Sequence, residues 1–237
     1  MYRTGIIIFA AFFIIFSSSL VSYSAEEKPA KKIEADIKAN GASFNECVSM
    51  AEDLAVKGDE LSAKEEYGKA IEYYNMAISI NGNFGKALLN RGIAYYNIGL
   101  KEVALVDINK SLAIDKDVAT ASYFQGVIYN EQGEADKALE SFNKAIDLQP
   151  DHSRAFSNRG KAYVNKGLYE RAIDDYNAAL KKDPELIEAY TNRGNAYEYM
   201  GDYKLACRDW KKACDNEACE KFRFMEIIGA CGKGNNS

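Results

Sequence analysis

Residues 153–186 read SRAFSNRGKAYVNKGLYERAIDDYNAALKKDPEL, and residues 187–220 read IEAYTNRGNAYEYMGDYKLACRDWKKACDNEACE. Aligned without a gap, the two stretches share Arg and Gly at places 7 and 8, Tyr at place 11, Gly at place 15 and Ala at place 20. Internal repetition decides a fold before any single element is assigned, and here it runs backward through the chain. Five blocks of 34 residues begin at Ala51, Gly85, Ala119, Ser153 and Ile187, with no insertion between them. Place 8 is always glycine (Gly58, Gly92, Gly126, Gly160, Gly194) and place 20 always alanine (Ala70, Ala104, Ala138, Ala172, Ala206). Large side chains fill place 11 (Leu61, Tyr95, Tyr129, Tyr163, Tyr197) and place 24 (Tyr74, Ile108, Phe142, Tyr176, Trp210). Place 27 is small again: Ala77, Ser111, Ala145, Ala179 and Ala213.

Each block carries the 3.6-residue apolar spacing of two helices. The turn between them falls at Gly99, Gly133, Gly167 and Gly201, with Glu65 in the first block, and Pro150 and Pro184 close the third and fourth blocks. A side chain larger than hydrogen or methyl at places 8 and 20 would hold the paired helices apart. The large residues at places 11 and 24 fill the space around them. One such hairpin cannot bury its apolar face alone, so the hairpins must stack on their neighbours.

The alternation of small and aromatic places at this period resembles the tetratricopeptide repeats, and the resemblance covers residues 51 to about 216. It implies an all-α fold, a right-handed superhelical solenoid of five helical hairpins (51–84, 85–118, 119–152, 153–186 and 187–220) within a repeat domain spanning 43–216. The first block departs most, through Glu65 and Leu61. Its opening helix is expected to begin early, because Ser43 and Glu46 form a capping box.

Arg at place 7 (Arg91, Arg159, Arg193) accompanies Asp at place 23 (Asp107, Asp175, Asp209) in the same three blocks. Where Lys57 and Gln125 replace the arginine, Tyr73 and Ser141 replace the aspartate. Pairing with the preceding repeat would require Asp before Arg91 and Arg159, where Tyr73 and Ser141 stand, so each pair is expected within one repeat. An exposed pair would contribute at most ~1 kcal/mol.

Ahead of the repeats, Arg3 precedes twelve uncharged apolar residues, 5–16, which are then broken by serines 17–19. This reads as a signal peptide over residues 1–24, with Ser22 and Ser24 at the −3 and −1 places for cleavage, and Ala25 a weaker second choice. The run is too short to span a bilayer alone, but Leu20 and Val21 lengthen it, so an uncleaved anchor is the alternative. Residues 25–42 are charged and small, a tether. A secreted or periplasmic location follows as an expectation.

With 47% hydrophobic and 27% charged residues in 237, disorder and a polytopic membrane protein are both disfavoured. A net charge of −5 argues against nucleic acid. Export permits disulfides, and four of the five cysteines crowd the C-terminus. Zinc is the competing reading of that cluster, but the spacings contain no CxxC. Cys207 and Cys214 share a face of one helix two turns apart, ~10 Å along its axis and too far for a mutual bond. A short antiparallel helix over 220–229, with Phe224 at place 4 of a sixth register, would cap the stack. That helix pairs Cys207 with Cys231 and Cys214 with Cys219, making 217–237 a disulfide-stapled cap and tail. The remaining Cys47 precedes the first repeat, where partial exposure would allow a minor disulfide-linked homodimer.

For chemistry the chain offers little. His152 is the only histidine and is expected in a solvated turn, which leaves no His-based triad or metal site. No cofactor, metal or small-molecule substrate is implied. The resemblance instead places function on the concave surface, made by places 2, 5, 9, 12 and 13 of each first helix. There Leu89, Ile93, Tyr96, Tyr123, Val127 and Val164 are expected to form an apolar strip, with Asn130, Lys161 and Tyr199 beside it. An exposed strip of that kind marks a binding site for a protein or peptide segment. Some family members grip a C-terminal carboxylate through Lys and Asn at places 5 and 9, but Ala55 and Asp59 stand there, so that clamp is not supported. The expected function is a non-enzymatic scaffold or adaptor outside the cytoplasm. A permanent subunit of an exported envelope complex is the alternative, and an enzyme the least supported.

Overall fold

The computed structural model describes residues 44–214 and 220–231. The expected signal segment, the tether, Ser43 and Cys219 lie outside the described residues. Those described form eleven helices and no strand: α1 (Phe44–Ala63), α2 (Tyr67–Ile80), α3 (Gly85–Asn97), α4 (Lys101–Ile114), α5 (Ala119–Glu131), α6 (Ala135–Leu148), α7 (Ser153–Asn165), α8 (Tyr169–Lys182), α9 (Ile187–Tyr199), α10 (Tyr203–Cys214) and α11 (Glu220–Ile227). They fall into two compact units, one ending at Asp115 with hairpins α1–α2 and α3–α4, the other starting at Lys116 with hairpins α5–α6, α7–α8 and α9–α10 followed by α11. The helix α1, at 20 residues, is the longest among the described residues and starts ahead of the repeat proper.

The sharp turn inside each hairpin requires a left-handed residue. Gly99, Gly133, Gly167 and Gly201 have φ between 72° and 86°. The first hairpin takes the same path with Glu65 at φ 60°, where a side chain costs roughly 1 kcal/mol relative to glycine. The glycines at place 8 have a different reason, close approach. A Cβ on Gly58 would lie 2.5 Å from the Tyr74 ring, one on Gly126 2.7 Å from Phe142, and one on Gly194 2.5 Å from Trp210. Place 8 and place 24 are therefore a single packing unit, and Tyr74, Phe142, Tyr176 and Trp210 are all buried there.

Arg91 donates from Nε and Nη2 to both carboxylate oxygens of Asp107, at 2.6 and 2.9 Å, and from Nη1 to Asn75 Oδ1 of the preceding repeat at 2.6 Å. Arg159 treats Asp175 and Asn143 in the same way, and Arg193 treats Asp209 and Asn177. The pairs are within one repeat, as their spacing requires. They are not surface charges: Arg91, Asp107, Asp175 and Asp209 are buried, and each fork also ties its hairpin to the one before it.

At the C-terminus, α11 packs on α10 through Met225, Phe222 and Cys231, which gather on Ala206 and Trp210. Cys207 and Cys231, expected as partners, are joined with their Cα atoms 5.5 Å apart. Cys214 is disulfide-bonded as well. Phe224, at place 4, is 58% exposed, because α11 docks by the face that carries Phe222 and Met225. Cys47 is free and half-buried.

Candidate peptide-binding face

In the first unit, the face made by the first helices centres on Asp59 of α1. Its Oδ1 accepts from the Tyr74 hydroxyl at 2.9 Å and from Asn90 Nδ2 at 2.7 Å, and its Oδ2 lies 3.0 Å from Lys86 Nζ. Ser62 Oγ adds a 3.2 Å bond with the Tyr74 hydroxyl. Burial pushes the Tyr74 phenol far above its ordinary pKa, so it remains a hydrogen-bond donor at physiological pH. Beside this network lies a pocket lined by Asp59, Ser62, Tyr67, Tyr74, Asn90 and Ile93. Ile93 and Tyr96 are half-buried, leaving apolar surface at the rim. Leu89, expected in the strip, is 7% exposed and belongs to the core, because place 5 of α3 is turned into the hairpin stack.

In the second unit, Tyr123 is half-buried, packed against Phe142 and tilted over His152 with ring centroids 4.7 Å apart. Its hydroxyl accepts from Asn158 Nδ2 at 3.1 Å, and burial raises its pKa. It is thus as much a packing residue as a surface one. Val127 and Val164 are half-buried against the core clusters of their hairpins, and Lys161 is exposed. Asn130 is 7% exposed, its Oδ1 accepting from Asn165 Nδ2 at 2.9 Å, so it fastens two first helices together from a buried position. Tyr199 is 61% exposed and stacks on Tyr169 with centroids 5.2 Å apart, at the turn edge. The nine expected residues therefore divide between the units, Leu89, Ile93 and Tyr96 in one and the other six in the other. His152 also differs from expectation. It caps α7, its Nδ1 accepting from the Ala155 N–H at 3.3 Å, and it is half-buried against Tyr123, because an N-cap followed by a large neighbouring ring draws the imidazole inward.

Sequence reasoning missed the Asp59 network, although a signal for it was present. Place 9 and place 24 match in polarity within a repeat: Asp59 with Tyr74, Ile93 with Ile108, Val127 with Phe142, and Asn195 with Trp210. The structure supplies the cause, since Tyr74 donates to Asp59 and Trp210 Nε1 donates to Asn195 Oδ1 at 3.1 Å. Among the described residues, no cluster of His, Cys, Asp and Glu is arranged to hold a metal ion.

The family model described as TPR repeat matches residues 126–167 and 160–201, and the one described as Tetratricopeptide repeat matches 54–84 and 187–217. The chain is 34% identical over 71 residues to the small glutamine-rich tetratricopeptide repeat-containing protein 2 of Mycosarcoma maydis, spanning 20% of that protein's length. It is 38% identical over 58 residues to a UDP-N-acetylglucosamine–peptide N-acetylglucosaminyltransferase of Giardia intestinalis, spanning only 4% of that length. An uncharacterized protein of Methanocaldococcus jannaschii is 35% identical over 73 residues, 85% of its own length and 31% of this chain. Among solved structures, MamA superposes with a TM-score of 0.60 at 29% identity, over 68% of this chain and 94% of MamA. YrrB, described as a TPR protein with an unusual peptide-binding site, superposes with a TM-score of 0.62 at 20% identity, over 84% of this chain and 99% of YrrB, a likeness of fold. With repeat models matching more than half of its length and helical hairpins in the same register, the chain belongs to the tetratricopeptide-repeat proteins.

Proposed function

We propose that this protein is a non-enzymatic adaptor that binds a peptide segment of a partner on the faces of its first helices. The observation that carries this reading is the rim of the first unit, where Ile93 and Tyr96 leave apolar surface beside a pocket whose polar groups are held in place by mutual hydrogen bonds. Preorganised polar groups beside an apolar anchor site are what extended-peptide recognition uses. YrrB, a neighbour in fold, is itself described as having a peptide-binding site. The apolar run at residues 5–16 and the bonded cysteines support a setting outside the cytoplasm. A second reading, a permanent subunit of an envelope complex, draws on α11, where Ile227 is 83% exposed beside Phe224 and Ile228.

The test is a displayed random-octapeptide library selected on the full chain. Ile93→Glu and Tyr96→Ala should each weaken the selected peptides at least about tenfold with helicity unchanged, as loss of an interface anchor does. Unchanged binding in both variants would remove the first unit's face as the site.

A further inference from the structure

We propose that the pocket beside Asp59 receives a basic side chain, lysine or arginine, of the bound peptide, so that the protein selects basic segments where carboxylate-clamp repeats select acidic ends. The proposal rests on the peptide-binding reading above and names the chemistry of its ligand. Three observations carry it. First, Asp59 is the only acid at place 9; the other repeats have Ile93, Val127, Lys161 and Asn195. Second, its carboxylate is fixed and lines the cavity. Tyr74 and Asn90 hold Oδ1, and Tyr67, Tyr74 and Ile93 supply aromatic and apolar wall against which the stem of a long cationic side chain can lie. Third, the cation paired with Asp59 among the described residues is replaceable. Lys86 meets Oδ2 from a side chain that is 60% exposed, and an ion pair of that kind is weak. A carboxylate has about four acceptor positions, and the two donors on Oδ1 leave Oδ2 with room beside or in place of Lys86. An anionic group entering the same pocket would face Asp59 at close range, which disfavours it.

The test uses the same octapeptide selection followed by a double-mutant cycle. Selected peptides should be enriched in lysine or arginine, and their binding should weaken as salt is raised. For a selected lysine peptide, Asp59→Asn should cost about tenfold in affinity, as loss of a charged hydrogen-bond partner does. Replacing the peptide lysine by norleucine should cost the wild type the same and the Asp59→Asn variant nothing further. Lys86→Gln, which removes the competing cation, should tighten basic peptides about two- to fivefold, a gain that misfolding would not produce. Acidic or uncharged selected peptides, additive losses in the cycle, or weaker binding by Lys86→Gln would each overturn the proposal. If binding depends on Ile93 and Tyr96 but not on Asp59, this inference fails alone. If it depends on none of the three, the site itself fails.

Discussion

At the scale of single residues, a buried ion pair and a half-buried imidazole decide measurable behaviour. The Arg91–Asp107 fork is buried, so removing one partner leaves the other charge without compensation. Arg91→Met should therefore destabilise the first unit by about 3 kcal/mol, and adding Asp107→Leu should recover most of the loss, both read from denaturant midpoints. The pairing of these residues was readable from their joint presence in three blocks. Their burial was not, because the third partner, Asn75, is neutral and leaves no mark in a charge pattern. His152 behaves differently. Burial, helped by Arg154, lowers its imidazole pKa below the ordinary 6.5. The unfolded chain then takes up a proton at a higher pH than the folded one. The stability held by the neutral ring is complete above pH 6.5 and is lost as pH falls through the folded value. Protonation also removes the Nδ1 acceptor that caps α7. Comparing urea midpoints at pH 7.5 and 5.0, His152→Asn should show a smaller acid loss than the wild type, since asparagine caps without titrating. An equal loss in both would assign the acid sensitivity to other groups.

At the scale of the hairpin, the repeated unit is a glycine on the first helix under a ring on the second. Gly126→Ala places a methyl against Phe142 and should cost about 2 kcal/mol by overpacking, with part of it restored by Phe142→Leu. Gly68 in α2 has nothing within 4 Å of where its Cβ would lie, and Gly68→Ala should stabilise by about 0.5–1 kcal/mol through helix propensity alone. Thermal melts of the two single variants should thus move in opposite directions. The hairpins were legible because both halves of this contact recur at fixed places: a small residue is informative when its partner repeats with it. The binding face was only partly legible. A place number gives the direction of a side chain from its helix, but not how deeply the next hairpin covers it. Leu89 and Asn130 fell on the expected face and are buried, while Asp59, passed over as the residue that spoils a carboxylate clamp, lines a pocket.

At the scale of the whole chain, the end of the repeat array is where the register stops predicting. Up to Trp210 every aromatic at place 24 has a glycine beneath it and a hairpin beside it, but α11 has eight residues, too few to be a stable helix in isolation. Its position comes from what it covers. Met225 and Phe222 lie on Ala206 and Trp210, Lys221 stands 4.9 Å over the Trp210 ring while bonding Glu198 at 2.5 Å, and the Cys207–Cys231 bond closes a separation of 24 residues. Closure of that loop contributes about 3 kcal/mol, chiefly by restricting the unfolded chain. Trp210 is the only tryptophan and is 1% exposed, so its emission reports directly on the cap. Replacing Cys207 and Cys231 together by serine removes the tie without adding bulk. The last hairpin should survive, since Arg193 and Asp209 and the Gly194–Trp210 contact lie within it, but α11 should leave its place for part of the time. The expected result is a red-shifted Trp210 emission and fast amide exchange confined to 220–231, with slow exchange kept in α9. Unchanged emission and protection in the double serine variant would mean that Met225 and Phe222 hold the cap by themselves and that the disulfide only follows the packing.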